Sequence, residues 1–282
     1  MTYNPNITTS GHNVNLDANQ VWTIPDTTFI PATTITVGGW QSAPVIKRTI
    51  RKNKANVKRK KNKNTTAKET YITLVLDKSG SMSDCYAAAL SAINEQIGVI
   101  KREGHKGGKT FVSIILFDHE IEIIEENTPV NQLRPLTKDD YVLGGMTALR
   151  DAVSTAIDIM HKEQDRKKNQ GFLMVLISDG QENSSGTTQQ DLQSKISELS
   201  KDERWTFTYL LDGHSWQQVQ QWSITYGTPI GNMNTYTSTA AGTVRGSSVI
   251  ASSVCNYMDA RSEDLTGTKT FYNDGSGEES KV

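Results

Sequence analysis

Asp77-Lys78-Ser79-Gly80-Ser81 sets one carboxylate and two hydroxyls on alternate residues, directly after the apolar run 71–76. Oxygen donors of this kind suit a hard cation. Mg²⁺ takes near-octahedral oxygen ligands and keeps several waters, whereas His and Cys would point to softer metals. Alternate residues in an extended turn project to one side, and Gly80 lets the backbone bend around an ion without a Cβ in the way. Two more oxygen donors stand in comparable places. Thr147 follows the glycine turn Leu143-Gly144-Gly145-Met146 and opens a helical pattern, and Asp179 follows a second apolar run at 172–177.

The elements that must position these donors are legible as alternating strands and helices. Residues 71–76, 111–117, 172–177 and 205–211 read as buried strands, with 119–124 close enough to pair with the second as a hairpin and a short strand near 233–236. Between them, helical stripes recur: Leu90, Ile93, Ile97 and Ile100 within 86–102; Leu149, Val153, Ala156 and Met160 within 147–162; Leu192, Ile196 and Leu199 within 189–199. The last helices are expected at 214–224 and 240–258. Such alternation predicts a mainly parallel sheet with helices on both faces. Ligands of such sheets bind at the carboxyl ends of the strands, and Asp77 and Asp179 both follow a strand at that edge.

Asp77-x-Ser79-x-Ser81 with a later Thr147 and Asp179 resembles the metal-ion-dependent adhesion site of von Willebrand factor type A domains. The resemblance spans roughly residues 66–258 and implies an α/β, three-layer Rossmann-like fold whose sheet runs in the order 3-2-1-4-5-6 with one antiparallel edge strand. It further implies that Ser79, Ser81 and, in the ligand-engaged form, Thr147 coordinate Mg²⁺ or Mn²⁺ directly. Asp77 and Asp179 then lie close behind, holding hydroxyls and waters. An ion with few direct carboxylates stays electrophilic, so the implied partner is a protein offering an Asp or Glu carboxylate. The chain most resembles stand-alone intracellular members of bacteria and their viruses, which implies a partner such as an ATPase or a multi-protein complex. Lys78 stands where many members have an apolar residue, and its ammonium is expected to point into solvent.

Charge divides the chain. Residues 1–66 hold 10 basic and 2 acidic side chains, and the remainder 20 basic against 29 acidic, so formal charges of +8 and −9 lie behind an overall −1. The sequence suggests an Asn/Thr-rich β-like extension over 1–46, a basic linker over 47–65, the main domain over 66–261 and a polar, loose tail over 262–282. The cations of 47–63 give an alternative reading, weak nucleic-acid binding, although no aromatic residue is interleaved for base stacking. The segment begins without a basic start and apolar stretch, and no run of about 18 apolar residues occurs, so the protein is expected to be cytoplasmic and free of membrane contact. Cys85 and Cys255 lack metal spacing and read as buried thiols.

Other signals carry less. Gly104-His105-Lys106-Gly107-Gly108-Lys109-Thr110 resembles a phosphate loop but is one residue short between its outer glycines, and it runs from helix to strand rather than strand to helix; it reads as a turn. A metal-dependent hydrolase with Asp77 as nucleophile is a further alternative, but Ser79 stands where a second Asp would serve as acid and base, so no catalytic residue is assigned. Ser215 or Asp212 is expected to cap a helix beside His214, and Trp205, Trp216 and Trp222 are expected to pack.

Overall fold

A computed structural model describes residues 67–272 except 167, 180, 181 and 214. Six strands form one sheet in the order β3-β2-β1-β4-β5-β6. The strands are β1 (Glu69–Asp77), β2 (Lys109–Phe117), β3 (Ile121–Pro129), β4 (Gln170–Ser178), β5 (Trp205–Asp212) and β6 (Met233–Tyr236). All pairings are parallel except β2 with β3, which forms the antiparallel edge. The helices are α1 (Tyr86–Glu103), α2 (Leu149–Lys162), α3 (Gln189–Leu199), α4 (Trp216–Tyr226) and α5 (Ala240–Ser262).

Period-two side-chain alternation sorts the strands onto two cores. Ile72, Leu74 and Leu76 of β1 join Leu173, Val175 and Ile177 of β4 in packing against α1 and α5. Tyr71 and Val75 face the other way with Phe172, Met174 and Leu176, against α2 and α3. Every residue of β1 and of β4 is buried, which is why they read as continuous apolar runs. The parallel register places Leu76 beside Ile177, so Asp77 and Ser178 leave the sheet side by side.

Several expectations change in contact with the fold. The helix expected from residue 147 begins at Leu149, leaving Thr147 in the preceding loop. The tail expected to be loose from residue 262 is seated on the domain as far as Tyr272. Thr268 N donates to Thr206 Oγ1 at 2.9 Å, Phe271 N to Asn232 Oδ1 at 2.8 Å and Tyr272 N to Gly231 O at 3.0 Å, and Phe271 enters the α1/α5 core. Trp216, expected to pack, is 61% exposed, because the first position of α4 points it outward; Trp205 is buried. Ser215 caps α4 in a capping box with Gln218, as expected of a helix start. Residues 104–107 form a short 3₁₀ turn between α1 and β2. Cys85 is buried and Cys255 partly buried, both as free thiols. Among the described residues no helix is long and apolar enough to cross a membrane. The extension over 1–46 and the basic linker lie outside the described residues.

Candidate metal centre

Asp77 terminates β1 with no solvent exposure, and its carboxylate is engaged on both oxygens. Ser79 N donates to Oδ1 at 2.8 Å, and Ser178 Oγ, from the neighbouring end of β4, donates to Oδ2 at 2.5 Å. Its carbonyl accepts the Tyr141 hydroxyl at 2.7 Å. Burial pushes the Asp77 carboxyl up to about 6, against the lowering effect of the Ser178 and Ser79 bonds, and the neighbouring charge of Asp179 adds to the rise.

From this anchor the chain turns outward through a 3₁₀ segment, Gly80–Cys85. Ser79 stays buried while Gly80 and Ser81 reach the surface, and the two serine hydroxyls lie 3.1 Å apart. The loop carrying Thr147 lies against this turn. Gly80 N donates to Gly145 O at 3.2 Å and Gly144 N to Lys78 O at 2.8 Å. A Cβ on Gly80 would come within 3.2 Å of Gly144 O, so the approach of the two loops is close enough to favour glycine there. Thr147 itself is buried and held from the far side. Its N–H donates to Asn183 Oδ1 at 2.8 Å, and its carbonyl accepts Asn183 N and Ser184 N at 3.0 and 3.1 Å. Asp179, half-buried, begins the same loop that supplies Asn183.

The structure therefore brings Asp77, Ser79, Ser81, Thr147 and Asp179 to one edge of the sheet, on three loops tied by hydrogen bonds. Lys78 departs from expectation. It is folded inward, with only 11% of its side chain exposed, and pairs with Asp118 Oδ2 and Glu122 Oε2, each at 3.4 Å. Supporting residues that the sequence reading passed over are Ser178, Tyr141, Asn183 and Asp118. Ser178 and Asn183 flank Asp179 in the string Ser178-Asp179-Gly180-Gln181-Glu182-Asn183 and had a local signal, as did Asp118, which follows the apolar run 111–117; Tyr141 meets the site only through folding. Glu182 braces the loop by accepting from Ser184 N, Ser185 N, Ser185 Oγ and Arg150 N.

The donors can be tested against an ion. Octahedral oxygens about 2.1 Å from Mg²⁺ stand about 3.0 Å from their neighbours, which the 3.1 Å between Ser79 Oγ and Ser81 Oγ matches. Among the described residues no three His, Cys, Asp or Glu side chains gather as a metal cluster. The donor set instead combines two carboxylates with hydroxyls, a chemistry suited to a hard cation that keeps part of its water shell.

Residues 72–181 match the family model of the von Willebrand factor type A domain. Among curated proteins, none matches the chain in sequence. Among solved structures, the open conformation of the pilus adhesin SpaC from Lactobacillus rhamnosus GG is similar over 72% of this chain and 31% of its own, at 12% identity and a TM-score of 0.51. A von Willebrand factor type A protein from Catenulispora acidiphila is similar over 70% of this chain and 43% of its own, at 15% identity and a TM-score of 0.44. Proximal thread matrix protein 1 from the mussel byssus, in a structure with a zinc-occupied MIDAS motif, is similar over 68% of this chain and 47% of its own, at 16% identity and a TM-score of 0.44. The chain thus spans less than half the length of each of these proteins, and the likeness to SpaC is one of fold. Over residues 72–181 the chain is thus similar to the von Willebrand factor type A domain, and its strand order β3-β2-β1-β4-β5-β6 is the one expected of that fold.

Proposed function

We propose that this domain is a divalent-metal-dependent protein-binding module. Asp77, Ser79, Ser81, Thr147 and Asp179 hold Mg²⁺ or Mn²⁺, and a partner protein supplies an Asp or Glu carboxylate. The observation that carries the reading is the placement of two hydroxyls 3.1 Å apart at the open side of a buried carboxylate whose own oxygens are already bonded. When bound, the ion supplies a Lewis acid for an anionic oxygen from outside. The protein's share is orientation. Asp77 holds the 78–81 turn through Ser79 N, Ser178 holds Asp77, and Asn183 holds Thr147. Binding is favoured over hydrolysis because Ser79 stands where a second Asp would serve as acid and base.

An ATPase or a larger complex as the partner rests on the family resemblance alone. Metal dependence is tested by thermal unfolding with Mg²⁺ or Mn²⁺ and with EDTA. A ligand at 100 times its dissociation constant adds about 2.7 kcal/mol, and the double variant Asp77→Ala, Ser79→Ala is expected to lose that gain. Identical wild-type curves at saturating metal would overturn the reading. Affinity capture with and without chelator then identifies the partner.

A further inference from the structure

Asp118 follows β2 at the same sheet edge as Asp77 and is only 3% exposed, although it is none of the proposed donors. An aspartate in a strand-to-strand turn ordinarily caps its own turn at the surface. Asp118 does cap it, accepting Glu120 N on Oδ1 at 2.7 Å, with His119 Nδ1 3.2 Å from the same oxygen. Its other oxygen and its main chain face the site. Oδ2 is paired with Lys78, the residue between Asp77 and Ser79. Gly144 lies so close that a Cβ there would stand 1.5 Å from Oδ2. The Asp118 carbonyl accepts Ala148 N, next to Thr147, at 2.6 Å.

The 144–148 segment is thus fastened to two loops at once. Lys78 O and Gly80 N hold its first half, and Asp118 O holds the residue after Thr147. The Lys78–Asp118 ion pair joins those two loops to each other. A lysine drawn out of water costs free energy unless it is paired, so an inward Lys78 depends on its carboxylate partners, of which Asp118 is the buried one and Glu122 the exposed one.

We propose that Asp118 is the positioning residue for Thr147. Seated on Gly144 and paired with Lys78, it sets where the 144–148 segment stands relative to the hydroxyls of Ser79 and Ser81. The functional consequence rests on the metal reading above; the anchoring of the loop does not.

The test uses Asp118→Asn and Lys78→Met in the full chain, with two readouts. In EDTA, amide hydrogen exchange at Gly144 and Ala148 is expected to rise in both variants while that of β4 stays unchanged. With Mn²⁺ titrated alone, affinity is expected to fall about 10- to 100-fold, the usual effect of removing a residue that orients a ligand. Asp118→Asn should add nothing to the loss already caused by Thr147→Ala. A general structural role would give an additive loss, and additivity overturns the inference. Failure of the wild-type protein to bind Mn²⁺ removes the metal reading, and exchange still decides the anchoring: unchanged exchange at Gly144 and Ala148 overturns the inference whatever the metal does.

Discussion

At the residue scale, Asp77 and Glu182 are both enclosed carboxylates and are driven in opposite directions. Asp77 loses more to burial than its hydrogen bonds return, so its carboxyl rises to about 6. Burial also acts to raise Glu182, but the bonds from Ser185 Oγ and from the Arg150, Ser185 and Ser184 N–H groups outweigh it and hold the carboxyl below the usual glutamate range. A carboxylate depressed on folding stabilises the fold above its unfolded value, about 4.3, and that contribution is lost as pH falls through the folded value. Because Glu182 braces the loop that holds Thr147, acid should loosen this loop before the sheet. Protection of the Ser184 and Ser185 amides, followed by NMR as pH is lowered from 6 to 3, is expected to fall in the wild type. In Glu182→Gln it should be weaker throughout and nearly independent of pH. Wild-type protection that does not change with pH would contradict the account.

At the element scale, the end of α5 and the segment after it matter more than their polar composition suggests. Arg261 is fully buried and spends its guanidinium on neutral oxygens: Thr70 Oγ1, Asn169 Oδ1 and the carbonyls of Leu265, Glu69 and Asn169. Lys68 closes the helix from outside, donating to Arg261 O at 2.6 Å and pairing with Asp264 at 2.9 Å. These bonds direct the chain back along the domain, where Phe271 completes the core. Phe271→Ala is therefore expected to cost about 3–5 kcal/mol, the range for emptying a buried aromatic position, with no change in Mn²⁺ affinity because the two lie at different places in the fold. Chemical denaturation checks the first and metal titration the second. A cost below about 1 kcal/mol, the level of an ordinary surface change, would mean that the segment is a passenger.

At the scale of the whole molecule, the separation of +8 over residues 1–66 from −9 over the rest is the main unexplained feature. If the cations of 47–63 bind nucleic acid, affinity falls steeply with salt, at a logarithmic slope of about −0.7 to −0.9 for each phosphate neutralised. It should be lost in a version beginning at residue 66 and be indifferent to EDTA. If the run is a linker, no binding is expected at about 0.15 M salt, where screening acts within about 8 Å. Gel-shift titration of both versions decides between these outcomes, and equal binding by both would move the nucleic-acid site into the main domain.

Local pattern was enough for the α/β class, for β1, β2, β4 and β5, and for the placement of Asp77, Ser79, Ser81, Thr147 and Asp179 at one edge, because buried parallel strands leave unbroken apolar runs and these residues sit at strand ends or after a glycine turn. The hairpin strand expected at 119–124 runs instead over Ile121–Pro129, since a partly exposed antiparallel edge leaves no such run. The helix over 189–199 was legible to the residue from its stripe of Leu192, Ile196 and Leu199, and the short strand over 233–236 also matched. Burial of polar groups was not legible, since it depends on partners distant in sequence. Lys78 read as a solvated cation until Asp118 and Glu122 closed around it, and Arg261 read only as the last residue of the domain before a loose tail until Thr70, Asn169 and Glu69 were brought to it. Tyr141 likewise reaches the Asp77 carbonyl from 64 residues away. Spacing along the chain was enough to place these oxygens at the sheet edge, because that spacing is local. What holds them there is settled only in the folded domain: apart from the local Ser79 N–Asp77 bond, the supports are hydrogen bonds and ion pairs between segments that meet only once the sheet has formed.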